Sequence, residues 1–457
     1  MIYPRIARHL IHPLILWQTG ERERLRWLAE FERSQFESAE QIRRRQDRLL
    51  EVLLDHVMDH NAFYRRRLEA AGVSRIGDSD PRQILAKLPP LTKSEIQESE
   101  AGMISGDQLV DRLIINQTGG STGAPIRFRL DRSRFESRVA GMIRHDRWAG
   151  HDIGYRTAYV WGAPRDLPAA GWKTRLRNRL LGGQLWLDTS AITESGMQQF
   201  NRQLKSFRPR TIIGYANAMV MLANYARHTG MSVWQPNAVI TSAELLTEAG
   251  RQAIEDVFGC PVFNRYGCRE FSIVASECEQ HDGLHLMAEG LLVEVESPDG
   301  ADESGSLLVT DLLNRAMPLI RYRIGDRAAN AEGACACGRG LPRLRAIEGR
   351  TTDFLLGTSG QLVSGVVLAT YLVAQRPSLG QVQIVQDRAG QVLFRIRPGS
   401  GFDREADVHY LNEMARQHLG EQAEVDVDEV EEIPVPASGK MQFSISRALP
   451  DFADVNR

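Results

Sequence analysis

At 457 residues the chain exceeds the size that a single hydrophobic core usually serves, so we expect at least two domains. Hydrophobic residues make up 42% and charged residues 25%, which is typical of globular proteins and excludes disordered and collagen-like classes. The formal charge of -2 leaves no basic excess for nucleic acid, and five cysteines do not resemble a secreted disulfide scaffold. We therefore expect a protein of the reducing cytoplasm that binds no nucleic acid.

The opening stretch "MIYPRIARHLIHPLILW" is apolar with scattered Arg and His. It lacks the ordered regions of a signal peptide, and no apolar run in the chain approaches the roughly 18 residues that span a bilayer. We expect this stretch to pack on the main body of the protein, with a peripheral membrane contact as the alternative.

Residues 1–88 predict a helical segment. Four apolar residues have the i, i+3, i+4, i+7 spacing of one helix face: Leu50, Leu53, Leu54 and Val57. The pair Pro89-Pro90 ends this segment, and a new helix follows that is capped by Thr92 or Ser94.

The stretch "NQTGGSTGAP" combines glycines with hydroxyl side chains. Glycines let the backbone approach a ligand, and the hydroxyls of Thr118, Ser121 and Thr122 can donate to phosphate oxygens. A Walker phosphate loop has a lysine after its last glycine, but here Ala124 follows Gly123. The loop is thus a candidate phosphate clamp whose balancing charge must come from elsewhere, and an ordinary glycine turn is the alternative.

Short apolar runs alternate with helical stretches after a helix predicted from about Arg132 to Trp148. The runs are "TAYVWG", "RTIIGYA", "NAVITSA" and "PVFNRYG", and such alternation predicts βαβ units and a parallel sheet covered by helices. In the clearest unit a strand ends near Ser242, and a helix begins after Thr247 and stops at Gly259. Ligands of open α/β sheets lie beyond the carboxyl ends of the strands, so "SAE" and "YGCRE" are expected at one rim.

The predicted secondary structure changes twice in the last third of the chain. "LLVEVES" and "SLLVTDL" predict antiparallel strands around the turn "PDGADESG", forming a small β subdomain. Past "IEGRTTDFLL" we expect a short mixed unit with helices near residues 364–375 and 403–419. The predicted fold class is therefore α/β, with parallel-type sheets covered by helices in a large N-terminal domain of residues 1–350. A small α+β C-terminal domain would comprise residues 351–457.

Four polar residues are further candidates for chemistry. Glu270 in "YGCRE" could offer a carboxylate to Mg²⁺, which takes one or two carboxylates plus substrate phosphates. Asp326 in "RYRIGDRA" follows an apolar strand and could accept hydrogen bonds from ribose hydroxyls, while Arg350 could contact ribose or phosphate. Lys440 in "PVPASGK" would place a point charge on a flexible stem. Each also has a structural interpretation. Glu270 could be a structural partner at the end of a strand, and Asp326 could be a turn aspartate. Arg350 could form a hinge salt bridge, and Lys440 could be a solvated lysine.

Cysteines and histidines recur in two short stretches. "ACACGRG" supplies Cys335 and Cys337, while "ECEQHDGLH" supplies Cys278, His281 and His285. Three thiolates and one imidazole satisfy tetrahedral structural zinc. The C-x-C spacing is tighter than the usual C-x₂₋₄-C, so buried thiols with a solvated histidine are the alternative.

Five motifs occur together in one order: "TGGSTGAP", "NRYGCRE", "MPLIRYRIGD", "CACGRGLPRL" and "EGRTTDFL". From about residue 90 to 450 the chain thereby resembles the adenylate-forming superfamily of acyl-CoA synthetases, nonribosomal adenylation domains and luciferases. It is most similar to the phenylacetate-CoA ligase branch, especially the relatives found with capsular and exopolysaccharide biosynthesis genes. The resemblance implies an AMP-forming ligase in which a carboxylate attacks the α-phosphate of ATP. A nucleophile, often the thiol of CoA, then displaces AMP.

The resemblance also implies roles for individual residues. The loop for the β and γ phosphates would comprise Thr118, Gly119, Gly120, Ser121, Thr122 and Gly123. Glu270 would hold Mg²⁺, and Lys440 would bridge the acyl carboxylate and the α-phosphate, so these two and Thr118 are the predicted catalytic residues. Asp326 and Arg350 would bind the ribose. The adenine pocket would be lined by Ala243, Glu244, Tyr266 and Gly267.

The acyl pocket is expected near "IIGYANAMVMLA" and the end of "YVWGAP", as an apolar pocket with a few polar groups. Its predicted lining is Trp161, Gly214, Tyr215 and Ala216. The alternative is that Ile212, Ile213 and Met221 are core residues.

Members of the resembled family reorient the small C-terminal domain between half-reactions, so Thr352 and Asp353 are the hinge candidates. Some members of the branch also carry a cysteine and histidine knuckle, and the form "GLH" favours the second histidine of the pair. The predicted zinc ligands are Cys278, His285, Cys335 and Cys337.

Three functions are compatible with these residues. The first is a ligase that passes the acyl group to CoA or a carrier thiol, and the second passes it to an amine or hydroxyl, for instance on a sugar. The third is an inactive nucleotide-binding regulator. Ala124 favours the regulator, whereas the intact glycine loop, Glu270, Asp326 and Lys440 argue against it.

Overall fold

The computed structural model describes most of the chain. The described residues are 2–77, 80–118, 126–161, 171–189, 194–297, 304–350, 354–360, 362–434 and 442–448. They divide into two compact units, Met1–Ile324 with Ala328–Ile347, and Gly325–Arg327 with Glu348–Arg457. The division after residue 347 falls close to the domain boundary that we propose after residue 350.

Helices form the amino-terminal part of the chain. They are α1 Tyr3–Ile6, α2 His12–Thr19, α3 Glu23–Ser34, α4 Ala39–His60, α5 Ala62–Ala70, α6 Pro81–Lys87 and α7 Lys93–Ser99. A π-helical turn at Ala7–Ile11 joins α1 to α2. The predicted apolar face of α4 is confirmed, because all four of its residues are buried: Leu50, Leu53, Leu54 and Val57.

A capping box fixes the start of α7. The Thr92 hydroxyl accepts from the Glu95 N–H, while the Glu95 carboxylate accepts from the Thr92 N–H. These two bonds satisfy two backbone donors at the helix start, which selects Thr92 over Ser94 as the cap.

A hairpin precedes the large sheet. Strands β1 Ile114–Gln117 and β2 Arg127–Leu130 pair antiparallel. Helix α8 Arg132–Trp148 follows, with the bounds that the sequence predicts. The Asp131 carboxylate accepts from the Arg134 N–H and caps this helix.

Eleven described strands then build one sheet. They are β3 Thr157–Val160, β4 Gln184–Leu187, β5 Thr211–Tyr215, β6 Ala238–Ser242, β7 Val262–Cys268, β8 Ser272–Glu277, β9 Leu284–Leu286, β10 Leu291–Glu296, β11 Gly305–Asp311, β12 Tyr322–Asn330 and β13 Arg343–Arg350. Their order is β10-β11-β12-β13-β9-β8-β7-β6-β5-β3-β4. The intervening helices are α9 Trp172–Leu180, α10 Glu194–Phe207, α11 Ala216–His228 and α12 Glu248–Phe258.

The two ends of this sheet differ in strand direction. Strands β4, β3, β5, β6 and β7 are parallel, which confirms the predicted βαβ units. Strands β10 and β11 are antiparallel, as predicted, but they continue the same hydrogen-bonded sheet. The expected small β subdomain is therefore the antiparallel end of the large sheet.

Both faces of the parallel end are covered. Ile212 packs in a cluster with residues of α10 to α12, whereas its neighbour Ile213 packs in a second cluster with Phe263. Successive side chains of a strand point to opposite faces, so all five residues of β5 are buried. Ile212 and Ile213 are thus core residues.

The C-terminal unit has its own core. Its elements are β14 Phe354–Leu356, β15 Leu362–Ser364, α13 Gly365–Gln375, β16 Gln381–Arg388, β17 Gln391–Arg397, α14 Arg404–Leu419, β18 Glu424–Glu429 and β19 Ser444–Ser446. A four-stranded sheet in the order β18-β17-β16-β19 packs with its helices through Leu372, Phe394 and Leu411. This mixed unit and the large helix-covered sheet confirm the predicted α/β fold class.

Candidate active site

The carboxyl ends of β3, β5, β6 and β7 form the rim that the sequence predicts. Trp161 directly follows β3, Tyr215 ends β5, and Ala243 directly follows β6. Because these strands are parallel and adjacent, the three residues lie on the same edge of the sheet. This edge is where an open α/β sheet receives its ligand.

Two aromatic side chains meet on this rim. The ring centroids of Trp161 and Tyr215 are 4.3 Å apart. Beside them, a Cβ on Gly214 would lie 2.7 Å from Cγ of Met219 and 3.1 Å from Cβ of Val160. Glycine therefore lets β5 approach its neighbours closely. Of the predicted acyl-pocket residues, Gly214, Tyr215 and Ala216 are buried.

Glu244 caps a helix across the rim. Its Oε2 accepts from the Asn217 N–H at 2.9 Å, in the first turn of α11. A carboxylate at a helix N-terminus satisfies a backbone donor and is favoured by the helix dipole. Ala243 before it has a left-handed backbone, with φ of 70°. Such strain in a residue with a Cβ is typical of functional sites, where the surrounding structure holds it.

The turn between β7 and β8 carries the predicted magnesium residue. A β-bulge lies between Tyr266 and Gly267, and a Cβ on Gly267 would lie 2.3 Å from the carbonyl oxygen of Ser272. Only glycine fits there. Glu270 follows in the turn, half-buried, and its Oε1 accepts from the Tyr322 hydroxyl at 3.5 Å.

The glycine loop begins and ends on the β1–β2 hairpin. The Thr118 N–H donates to the Ile126 carbonyl at 3.0 Å, and the Thr118 Oγ1 accepts from the Ile126 N–H at 2.9 Å. This pair closes the base of the loop and leaves the hydroxyl proton of Thr118 for donation. The remaining loop residues lie outside the described part of the chain: Gly119, Gly120, Ser121, Thr122 and Gly123.

Arg138 is a cation that sequence reasoning missed. It lies on α8, with its guanidinium 5.8 Å from the ring centroid of Phe128 in β2, and its Nη2 donates to the Arg269 carbonyl. Burial and the neighbouring Arg134 lower the pKa of Arg138 to about 10, so it stays charged at neutral pH. Its Nη1 is buried without a hydrogen-bond partner among the described residues. A charged donor thus lies between the hairpin and the Glu270 turn.

The predicted ribose and acyl-phosphate residues are described only in part. Asp326 is half-buried within β12, after Gly325 with φ of 85°. The prediction that Asp326 follows a strand is therefore wrong, because the strand continues through this glycine. Arg350 ends β13, and its side chain lies outside the description, as do Lys440 and the hinge candidates Thr352 and Asp353.

The four predicted zinc ligands lie together. One ligand atom from each of Cys278, His285, Cys335 and Cys337 falls within 4.8 Å of the others. The sulfurs of Cys278 and Cys335 are 3.7 Å apart, and Nε2 of His285 is 3.3 Å from the sulfur of Cys337. His281 instead pairs its Nδ1 with a Glu277 carboxylate oxygen at 3.1 Å. The geometry therefore favours His285 as the fourth ligand.

Hydrogen bonds around the cluster suit a bound cation. Nδ1 of His285 lies 3.2 Å from the Leu341 carbonyl, which can only accept, so Nε2 carries the lone pair that faces the thiols. Burial lowers the pKa of His285 to about 4, so the imidazole is neutral at neutral pH. Burial also raises the pKa of Cys278 to about 12, with Cys337 and Cys335 adding to the rise. A divalent cation would relieve this crowding by stabilising the thiolates.

Known proteins resemble this chain over most of its length. Residues 355–447 match the CapK C-terminal domain family. The chain is 23% identical over 407 residues to protein CapK of Staphylococcus aureus, covering 88% of each. It is 27% identical over 390 residues to phenylacetate-coenzyme A ligase of Thermus thermophilus, covering 82% of this chain and 85% of that one. Its fold is similar to 2-hydroxyisobutyryl-CoA ligase in complex with R3-HIB-AMP, with a TM-score of 0.70, 19% identity and 91% of each chain covered.

These relatives confirm the predicted resemblance to the phenylacetate-CoA ligase branch of the adenylate-forming superfamily. The structural likeness confirms the fold. Phenylacetate-coenzyme A ligases among the relatives confirm the predicted class of enzyme, an ATP-dependent AMP-forming ligase.

Proposed function

We propose that this chain, a member of the phenylacetate-CoA ligase branch of the adenylate-forming superfamily, activates a carboxylic acid with ATP and transfers the acyl group to CoA. Another thiol is the alternative acceptor. The observation that carries the proposal is the rim itself. It brings an aromatic pair, a strained alanine, a carboxylate turn and a half-buried arginine to the carboxyl ends of parallel strands.

In the first half-reaction, a carboxylate oxygen forms a bond to the α-phosphorus of ATP. The bond from that phosphorus to the bridging oxygen of pyrophosphate breaks, and the products are acyl-AMP and pyrophosphate. Both reactants are anions, so the reaction depends on cations that neutralise the transferring centre. In the second half-reaction a thiolate attacks the acyl carbon and AMP leaves.

The residues of this chain supply that charge from several directions. Nη1 of Arg138 has no hydrogen-bond partner among the described residues and lies between the glycine-loop hairpin and Glu270, so we assign it to the pyrophosphate oxygens. Glu270 would hold Mg²⁺ through its carboxylate oxygens, and the ion would supply positive charge at the phosphates. Thr118 donates from the base of the loop, and Lys440 is assigned to the acyl carboxylate and the α-phosphate.

The acid and the acceptor are identified in one experiment. A panel of aliphatic and aromatic carboxylic acids is scored by pyrophosphate release, with and without CoA. The mass of the product is then measured by mass spectrometry. An acyl-CoA product supports the proposal. An amide or ester that forms only with an added amine or hydroxyl would replace the thiol acceptor. ATP binding without pyrophosphate release from any acid would favour the inactive regulator.

We also propose that the Cys278, His285, Cys335 and Cys337 cluster holds a structural Zn²⁺. Three thiolates and one imidazole fill a tetrahedral shell, which leaves no open position for substrate. Metal analysis of protein purified without a histidine tag should give about one zinc per chain. A value below about half an equivalent would contradict the zinc site without affecting the proposed ligase reaction.

A further inference from the structure

The helical segment that comprises α1, the π-helical turn and α2 carries apolar side chains on its outward face. Ile2, Ile6, Leu10, Leu14 and Trp17 recur every three to four residues, which places them along one side of a helix. Each is between 43% and 77% exposed. We call these five residues the N-terminal stripe. Five large apolar side chains in one exposed row are unusual for a solvated helix.

The opposite face anchors this segment to the main body, as we expect from its apolar sequence. Ala7 and Leu16 are buried, and Arg8 pairs with Asp152 at 2.9 Å. A Cβ on Gly154 would lie 2.8 Å from Cβ of Ala7, so the segment packs closely against the loop before β3. The N-terminal stripe is therefore the exposed side of a helical segment whose other side packs on the main body.

Helix α9 lies beside this segment and is basic. The Tyr3 hydroxyl donates to the carbonyl oxygens of Leu180 at 3.0 Å and Arg179 at 3.4 Å. Helix α9 contains no buried residue, and its Trp172 and Leu176 are 71% and 49% exposed. It has no acidic residue, and four exposed cations follow its length: Lys173, Arg175, Arg177 and Arg179.

Charge and apolar surface thus occur together at one place. The first 20 residues contain Arg5 and Arg8 but no acidic residue, since the first acid is Glu21. Exposed Tyr and Trp, apolar rows and flanking Arg and Lys are the features of helices that lie in the plane of an anionic membrane. A second copy of the chain is disfavoured as partner, because a two-fold contact would oppose the same cations.

We propose that the N-terminal stripe and α9 form a peripheral docking surface for a bilayer rich in anionic phospholipids. The apolar side chains enter the boundary between headgroups and acyl chains, and the cations of α9 lie among the phosphates. The bilayer covers the helix, none of whose residues is buried among the described part of the chain. This contact holds the protein on the surface of the membrane; no helix of the described residues is long and apolar enough to cross it.

The test is co-sedimentation of the full chain with vesicles of phosphatidylcholine alone or mixed with phosphatidylglycerol. We expect binding to the anionic vesicles to be at least about tenfold stronger, and to weaken as salt is raised. Equal binding to both vesicles, or none to either, would overturn the proposal. A dimer that forms without vesicles and is broken by the stripe variants would show a self-interface instead.

Two pairs of variants separate the contributions. Leu10→Ser with Leu14→Ser should weaken binding by about tenfold or more, since each leucine removes apolar area from the interface. Leu109→Ser with Val110→Ser is the matched control, because Leu109 and Val110 are 61% and 51% exposed elsewhere on the chain. Loss of binding in the control as well would contradict a specific surface.

The charge-reversal variant is the double substitution Arg175→Glu with Arg177→Glu in α9. Its matched control is Arg43→Glu with Arg44→Glu, on the exposed part of α4. Both doubles change the net charge equally. We expect the α9 variant to lose binding by about 25-fold, at about fivefold for each cation removed from the membrane surface, and the α4 variant to bind as wild type. Equal losses would mean non-specific attraction and overturn the proposal. Unchanged pyrophosphate release verifies that each variant is folded.

Discussion

The Cys/His cluster and the rim of the large sheet differ in how completely their chemical groups are assembled. In the cluster, four ligand atoms lie within 4.8 Å of one another, held by β9 and by chain that follows β8 and β12. At the rim, the groups come from separate strands, and the predicted cation Lys440 belongs to the C-terminal part of the chain. A structural metal site is closed, whereas a reacting site must admit substrates and release products.

The largest effect is expected at Lys440, the residue that we assign to the reacting phosphate. Lys440→Ala should lower acyl-AMP formation by about 100-fold or more, because the charge at the reacting phosphate is lost. The melting temperature and zinc content should be unchanged. Pyrophosphate release measured at saturating ATP and acid provides the rate. Undiminished release in this variant would contradict the assigned role of Lys440.

The cluster should respond in the opposite manner. Cys335→Ser should abolish the proposed zinc binding and lower the free energy of unfolding by about 3 kcal/mol or more, since a structural metal stabilises only the folded state. Cys260→Ser is the matched control, because Cys260 is also buried but lies outside the cluster. The measurements are metal content and thermal unfolding. A control that loses as much stability would show that the effect is ordinary core disruption.

Variants of Arg138 test whether this arginine is a cation of the rim that binds ATP. Arg138→Met should raise KM for ATP about tenfold, the value of one charge-assisted hydrogen bond. Arg138→Lys keeps the charge and should recover part of this loss. If Arg138 only supports the turn through the Arg269 carbonyl, both variants would lower the melting temperature and leave KM for ATP unchanged.

The smallest effect is expected at Glu244. Glu244→Ala removes the acceptor for the Asn217 N–H and should cost about 1 kcal/mol of stability. Glu244→Gln keeps an acceptor and should cost less. Thermal unfolding measures both variants, and KM for ATP tests the separate prediction that this residue lines the adenine pocket. Equal stability of the alanine variant and wild type would remove the capping role.

Local patterns predicted the parts of the fold that depend on short-range signals. The sequence predicts the bounds of α8 and the start of α12 after Thr247, and the structure has both helices there, each with a side-chain cap at its start. The grouping of Cys278 with Cys335 and Cys337 followed from ligand chemistry, although 57 residues separate Cys278 from Cys335. In each instance the feature requires one of a few residue types, so those residues predict it.

Other features depended on contacts that sequence patterns do not encode. The β1–β2 hairpin has strands of four residues, too short for a clear alternation, and pairs across the glycine loop. The sequence predicts that Asp326 follows a strand, yet the strand continues through Gly325 to Asn330. Arg138 is one of several arginines on α8, and only the tertiary structure distinguishes it from Arg134, which pairs with Asp311 at 2.7 Å.

The most direct test of the central claim is the fate of ATP in a single turnover. Excess protein is mixed with α-labelled ATP and an accepted carboxylic acid, without CoA or any other acceptor, and the products are separated. The proposed chemistry predicts acyl-AMP and pyrophosphate in equal amounts, and release of AMP when the acceptor is added. Formation of ADP and phosphate, or cleavage of ATP that does not depend on the acid, would contradict it.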